Sequence, residues 1–311
     1  MKNHNPKYAF YYLLSLVALI FLAISSAIII FQIIDKSIFD ALAYYGSYSN
    51  QSALRFGISA LLISAPIFFL CANLINKGLK NREIDKDSPL RNWLTYFILA
   101  VSAVVILGSL VGIINAFLSG EMTFKSVLQL ITVIVIASLI FSFYLYDIRR
   151  NKISKKDKIM KVFFFSSVSL VIIVFISSWF FVESPKMARE RKIDEKVLNN
   201  IHSLESYINS YYEKKKELPN DLSAINSVIE VANFDQFLVN PINGEKIEYK
   251  KIGEREFELC ANFRTDSYES KRNEAYPVYV GDGSKVYVKG WNCFKGNLWA
   301  EERLVEKELI R

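Results

Sequence analysis

The residues best suited to chemistry in this chain of 311 residues are few: two histidines, three cysteines and a group of carboxylates near the carboxyl-terminal end. His4 and His202 belong to no H-E-x-x-H pair, and no second His or Cys lies at a metal-ligand spacing, so His202 reads as a surface residue of a helix. A nucleophilic serine needs a base beside it, and no G-x-S-x-G, phosphate-binding loop or dinucleotide fingerprint occurs. Glu254, Glu256 and Glu258 alternate, which in a strand puts all three on one solvated face, whereas a glycosidase pair needs carboxylates opposed across a cleft. Gly281-Asp282-Gly283 offers few of the about six to eight oxygens that calcium takes and reads as a hairpin turn. The expectation is a protein without catalytic residues, metal or cofactor.

The elements that would have to position such groups are of two kinds. Mean hydropathy is +0.21, an average over two unlike halves that meet near Glu183. A bilayer core about 30 Å thick needs about 20 apolar residues in helix, because an unpaired backbone amide is not tolerated in lipid. Runs at 8–34, 54–75, 93–118, 127–146 and 162–182 qualify, and Arg55 is their one charge. Tyr8, Tyr11, Tyr12, Trp93, Tyr144, Tyr146 and Trp179 stand near their ends, where an amphipathic ring prefers the headgroups. The first run continues past Ala23-Ile24-Ser25-Ser26-Ala27 without a break, so it reads as a retained span, since signal-peptide cores are about 7 to 15 residues.

The net charge of +7 sits mainly in two loops between apolar runs, which speaks for membrane orientation and against nucleic acid. Lys2 and Lys7 precede span one, Lys77 to Arg91 carry basic residues between spans two and three, and Arg149 to Lys161 do so between spans four and five. The opposite loops hold only Lys36, Arg55 and Lys125. The amino terminus is thus expected in the cytoplasm and the domain after span five outside, in a multi-pass cytoplasmic membrane protein of a bacterium. No intramembrane charge marks an ion path. Gln32, Asn73, Asn115 and Gln129 are expected to bond neighbouring helices, Pro66 to kink span two, and the G-x-x-x-G of Gly108 and Gly112 to serve packing inside the bundle rather than a dimer seam.

Leu54-Arg55-Phe56 leading into Ala65-Pro66-Ile67-Phe68, then Arg91-Asn92-Trp93-Leu94-Thr95-Tyr96, Phe117-Leu118-Ser119-Gly120-Glu121-Met122-Thr123 and Tyr144-Leu145-Tyr146-Asp147-Ile148-Arg149-Arg150 carry a resemblance. Over about residues 8–150 the chain resembles a bacterial four-helix membrane family known as domain of unknown function 5671. The resemblance implies a membrane fold and brings no catalytic or binding residues with it.

Residues 183–311 read as a small extracytoplasmic α+β domain, one long amphipathic helix against an antiparallel sheet. Pro185 separates span five from that helix. Ile193, Val197, Ile201, Leu204, Ile208 and Tyr211 then recur every three or four positions, one apolar stripe that ends at Leu218-Pro219. A short helix is expected over 221–230, strands at 246–252 and 256–263, and a second hairpin of 277–280 with 285–288. With Tyr211-Tyr212, Leu218-Pro219, Asn240-Pro241-Ile242-Asn243-Gly244 and Tyr249, this order resembles the periplasmic part of type IV pilins and type II secretion pseudopilins. It departs from them in having four spans before the membrane helix and no pilin processing motif.

Of the cysteines, Cys71 lies in span two, while Cys260 and Cys293 share the domain expected outside. An oxidising compartment favours a Cys260–Cys293 disulfide over two buried thiols. Tyr276, Tyr279 and Tyr287 form an aromatic hairpin suited to a partner surface, with cross-strand pairing as the plainer role. The function expected is non-enzymatic: a membrane bundle in contact with lipid that displays a pilin-like domain for a protein partner or envelope assembly. The alternatives are a membrane subunit of a transport or secretion system and, third, a membrane enzyme without a recognisable motif.

Overall fold

A computed structural model describes residues 6–38, 51–81, 83, 88–120, 122–150, 157–267 and 285–298. The chain divides into two compact units, Met1–Val182 and Glu183–Arg311.

The first unit consists of α1 (Pro6–Ser37), α2 (Gln51–Lys80), α3 (Pro89–Leu118), α4 (Phe124–Arg149) and α5 (Lys158–Trp179). All five are long and apolar enough to cross a membrane. The first four run past their apolar stretches at one end or both, because backbone bonding continues into the polar flanks. Only α5 stops short of its stretch: the amides of Phe180 and Phe181 turn back onto the carbonyls of Ser177 and Ser178, at 3.2 and 3.1 Å, and tighten the end into a 3-10 turn. Each start has a local cause. Pro89 and its fixed φ open α3 after Ser88, the Thr123 side chain accepts from the Ser126 amide, and the Asp157 carboxylate accepts from the Met160 amide. Gly120, at φ 71°, makes the turn between α3 and α4.

Helices α1 and α2 pack most closely. A Cβ on Gly57 would stand 3.1 and 3.2 Å from the Ile29 and Ile28 side chains, a tight contact that glycine avoids where the two helices meet. Ile29, Leu54 and Leu61 fill that seam. Pro66 is accommodated within α2, which runs unbroken from Gln51 to Lys80. Gly112 faces Leu130 of α4, whereas nothing lies within 4 Å of a Cβ at Gly108, so one half of the G-x-x-x-G meets a neighbouring helix. Outward faces carry large apolar side chains such as Leu62, Val104, Leu107, Val111, Phe165 and Ile173, a surface that suits lipid and not water.

In the second unit α6 (Pro185–Lys215) begins at Ser184, whose hydroxyl accepts from the Met187 amide, with Pro185 as first helical residue. It ends at Lys216, in the left-handed region at φ 60°, two residues before Leu218-Pro219. α7 (Ser223–Ile229) and a 3-10 turn (Phe234–Phe237) follow, then β1 (Glu248–Lys251), β2 (Glu256–Phe263) and β3 (Gly290–Asn297). The sheet is antiparallel in the order β1-β2-β3. Every residue of the α6 stripe, Ile193 to Tyr211, is buried. Val197, Ile201, Leu204 and Ile208 share one core with Phe257, Leu259, Ala261 and Phe263 of β2 and with Ile225 and Phe234.

The second hairpin is corrected. Residues 285–288 form no strand, and 277–284 lie outside the described residues. The third strand is instead Gly290–Asn297, whose two glycines and two asparagines give it little intrinsic β preference. Pairing along the whole of β2 forms it. Gly296 stands opposite Phe257, and a Cβ there would fall well inside contact with the ring of that fully buried residue. Gly296→Val should therefore lower the stability of the second unit by about 1 to 3 kcal/mol through overpacking, read as a lower midpoint in thermal unfolding followed by proteolysis of the full chain.

Candidate functional site

Three helix ends place a polar cluster inside the first unit. The Ser88-Pro89 start puts Arg91 in the first turn of α3; the end of α4 carries Asp147 and, as its cap, Arg150; Asp157 caps α5. Arg91 is 2% exposed and Arg150 8%. Arg91 Nη2 donates to Asp147 Oδ2 at 2.8 Å and to the Asp147 carbonyl at 3.0 Å. Arg150 holds the other Asp147 oxygen at 2.7 Å and reaches Asp157 at 3.7 Å, and Tyr146 donates to Asp157 at 3.0 Å. Burial pushes the Asp157 carboxyl up, but the Met160 amide, the Tyr146 hydroxyl and Arg150 outweigh it and hold the group below the usual carboxylate range. This depressed pKa stabilises the fold above the ordinary carboxylate pKa, and that contribution is lost as pH falls through the lower folded value.

These charges read in the sequence as loop and interface residues; the structure buries them as one network. Its members come from three segments, and only Asp147 and Arg150, three residues apart, stand at a helical spacing. Asp147, Arg150 and Asp157 border a cavity of about 230 Å³ that also touches Tyr12 and Asn76. Three buried polar atoms here have no hydrogen-bond partner: Tyr12 Oη, Asn76 Oδ1 and Arg150 Nε. An arrangement of this kind can take a polar ligand group by donating from Arg150 and Tyr12 and accepting at Asn76.

The opposite end of the bundle is closed by a smaller set. Lys125 pairs with Asp35 at 3.0 Å and Gln129 donates to the same carboxylate at 2.8 Å, joining α4 to α1. Lys36 and Gln51 donate to the carbonyl of Phe181 at 3.1 and 3.3 Å. Gln129 thus takes the interhelical role expected of it, while Asn73 and Asn115 are exposed.

In the second unit Asp194, 0% exposed, lies on α6 next to Ile193 of the apolar stripe. Its carboxylate accepts from the amides of Arg264 and Thr265 at 2.9 and 2.7 Å and from the Thr265 hydroxyl at 2.6 Å. Arg191 adds a bond to the Asp266 carbonyl at 2.8 Å and an ion pair with Glu183 at 3.0 Å. Together they bind the chain leaving β2 to the helix.

Cys260 and Cys293 are partners in the β2–β3 register and form a disulfide, with Cα atoms 4.0 Å apart. Glu258 lies beside them, but sulfurs joined in a disulfide are not the thiolates a metal needs. His202 is 3.5 Å from Glu205, which also receives Lys285 at 2.6 Å. Tyr249 keeps its proton, pushed up to about 12 by burial with Tyr211 nearby. Of the three tyrosines read as a partner surface, Tyr276 and Tyr279 lie outside the described residues. Tyr287 is corrected: it is 5% exposed and stacked on Phe263 at 4.1 Å between ring centroids, so it is a core residue.

The fold is a five-helix bundle, suited by length and hydropathy to a bilayer, that carries a separate disulfide-bonded α+β unit. Residues 9–144, from the first turn of α1 to the last third of α4, match a family described as a domain of unknown function, DUF5671. The match leaves α5 and the second unit outside it. No curated protein and no solved structure matches the chain.

Removing Asp194 strands two backbone amides. Asp194→Ala should cost about 2 to 4 kcal/mol, with Asp194→Asn recovering part of it, measured by denaturant unfolding of the full chain with its disulfide intact.

Proposed function

We propose that this chain is a non-enzymatic protein of a bacterial cytoplasmic membrane, its amino terminus in the cytoplasm and its α+β unit held outside for docking a protein partner or anchoring an envelope assembly. The observation that carries the reading is the Cys260–Cys293 disulfide, a bond kept in oxidising compartments and rare in the cytosol. The loop charges support the same orientation, since the basic segments at 77–91 and 149–161 fall on the side that the positive-inside rule assigns to the cytoplasm. A long helix packed on an antiparallel sheet supports a pilin-like module, reused here as a fixed display domain.

A second reading, a membrane subunit of a transport or secretion system, is favoured by the polar-ended cavity between the helices. Purification from native membranes separates the two: a stoichiometric complex with an assembly ATPase or other polytopic subunits supports the second, and a partner bound only through the α+β unit supports the first.

Reporter fusions at Lys86 and Lys155 should report cytoplasm, and one after Thr265 should report the outside; a cytoplasmic signal from residue 265 overturns the orientation. The tyrosines should behave unlike one another. Tyr279→Ser is expected to weaken partner capture with little change in melting temperature, whereas Tyr287→Ser, which empties a stacked core site, should lower the melting temperature by removing about 2 kcal/mol or more. Unchanged capture by the Tyr279 variant counts against the docking surface.

A further inference from the structure

The cavity beside Arg150 does not end at its polar groups. Phe68, Ala72, Phe143, Tyr144 and Phe164 line it together with a second cavity of about 130 Å³. The walls of that second space are otherwise largely apolar, with Leu22, Ile140 and Leu170 among them beside the serines Ser26, Ser166 and Ser167. Across these side chains a cavity with charged groups adjoins one with a largely apolar lining, the division of an amphiphile.

The charge at the mouth has a sign. Asp147 is held by Arg91 and Arg150, and Asp157 by Arg150 and Tyr146. Lys80 and Lys161 line the same space without an acid partner among the described residues. Three cations, Lys80, Arg150 and Lys161, thus line the space against two carboxylates, one of which Arg91 also neutralises. Arg150, with its side chain almost wholly buried, still has a donor unused at Nε, and the Tyr12 hydroxyl is unpartnered too. An anionic group in this space offsets the excess of positive charge.

We propose that this crevice binds one anionic phospholipid, its phosphate at Lys80, Arg150 and Lys161 and part of an acyl chain in the apolar extension past Ala72. Basic pockets between membrane helices are suited to such headgroups. The proposal rests on the membrane reading above but not on its orientation. A soluble phosphate would satisfy the mouth and leave the apolar part unused.

The test uses the full chain, disulfide intact, in an uncharged maltoside detergent, titrated under native mass spectrometry with phosphatidylglycerol, with phosphatidylcholine of the same acyl chains, and with inorganic phosphate. Phosphatidylglycerol should bind about tenfold or more tighter than phosphatidylcholine. Lys80→Gln and Lys161→Gln should each weaken it about fivefold with helicity unchanged, and Ala72→Phe, which fills the shared wall, should weaken it without altering charge. Equal binding of the two lipids, or no effect of either lysine change, overturns the proposal. Phosphate binding that Ala72→Phe leaves intact, with no preference between the lipids, overturns it in favour of a soluble anion. A reversed result in the reporter fusions leaves these measurements unaffected, so the two readings fail separately.

Discussion

An amide or carbonyl left unpaired in hydrocarbon costs several kcal/mol, and the first unit, with five helices long and apolar enough to cross a membrane, suits that constraint. The first four helices run unbroken through their apolar stretches, and several hydroxyls inside them turn to their own backbone. Ser26 donates to the Leu22 carbonyl at 2.7 Å, Ser102 to Ile98 at 2.8 Å, Ser109 to Val105 at 2.9 Å and Thr132 to Leu128 at 2.8 Å. With those groups consumed locally, the middle of the bundle is held by shape: Gly57 against Ile28 and Ile29, and Gly112 against Leu130.

Specific polar contact between helices is left to the two ends, where charge is tolerated. At one end Arg91, Asp147, Arg150 and Asp157 connect α3, α4 and the start of α5; at the other Asp35, Lys125 and Gln129 connect α1 and α4. Such buried pairs add little to stability over apolar packing, yet losing one partner costs about 3 to 5 kcal/mol. Their effect is to set which helix ends meet. The same arrangement leaves Arg150 Nε, Tyr12 and Asn76 unsatisfied around a cavity, and that unmet hydrogen bonding gives the bundle its one candidate ligand site with polar character among the described cavities.

The second unit solves a different problem. A small domain buries little apolar surface for its size, and here a helix stripe and one face of a three-stranded sheet supply most of the core. Two links supplement it. Asp194 ties α6 to the end of β2, and the disulfide ties β2 to β3 across a separation of 33 residues, which in the chain-entropy account stabilises by about 3.5 to 4 kcal/mol.

What could be read without the structure was whatever depends on neighbours along the chain. Five apolar runs, the α6 stripe at spacings of three and four and strand β2 are all local patterns, and each has a local cause in apolar composition, helical periodicity or strand alternation. The loop charges were legible as charges, but their use was not. Arg91 and Asp147 are 56 residues apart, and only the up-and-down packing of α3 and α4 brings them to 2.8 Å. The burial of Asp194 had no signal in the sequence, because its partners are amides 70 and 71 residues away, and an amide leaves no mark in a sequence. Strand β3, with its weak propensity, exists because β2 lies beside it, and Tyr287 is in the core because Phe263 is there to stack on. The sequence by itself determined the elements and their faces, through interactions a few residues long; tertiary structure alone decided which buried charges meet, where the cavity opens and which strand completes the sheet, because those depend on groups that become neighbours only when the chain is folded.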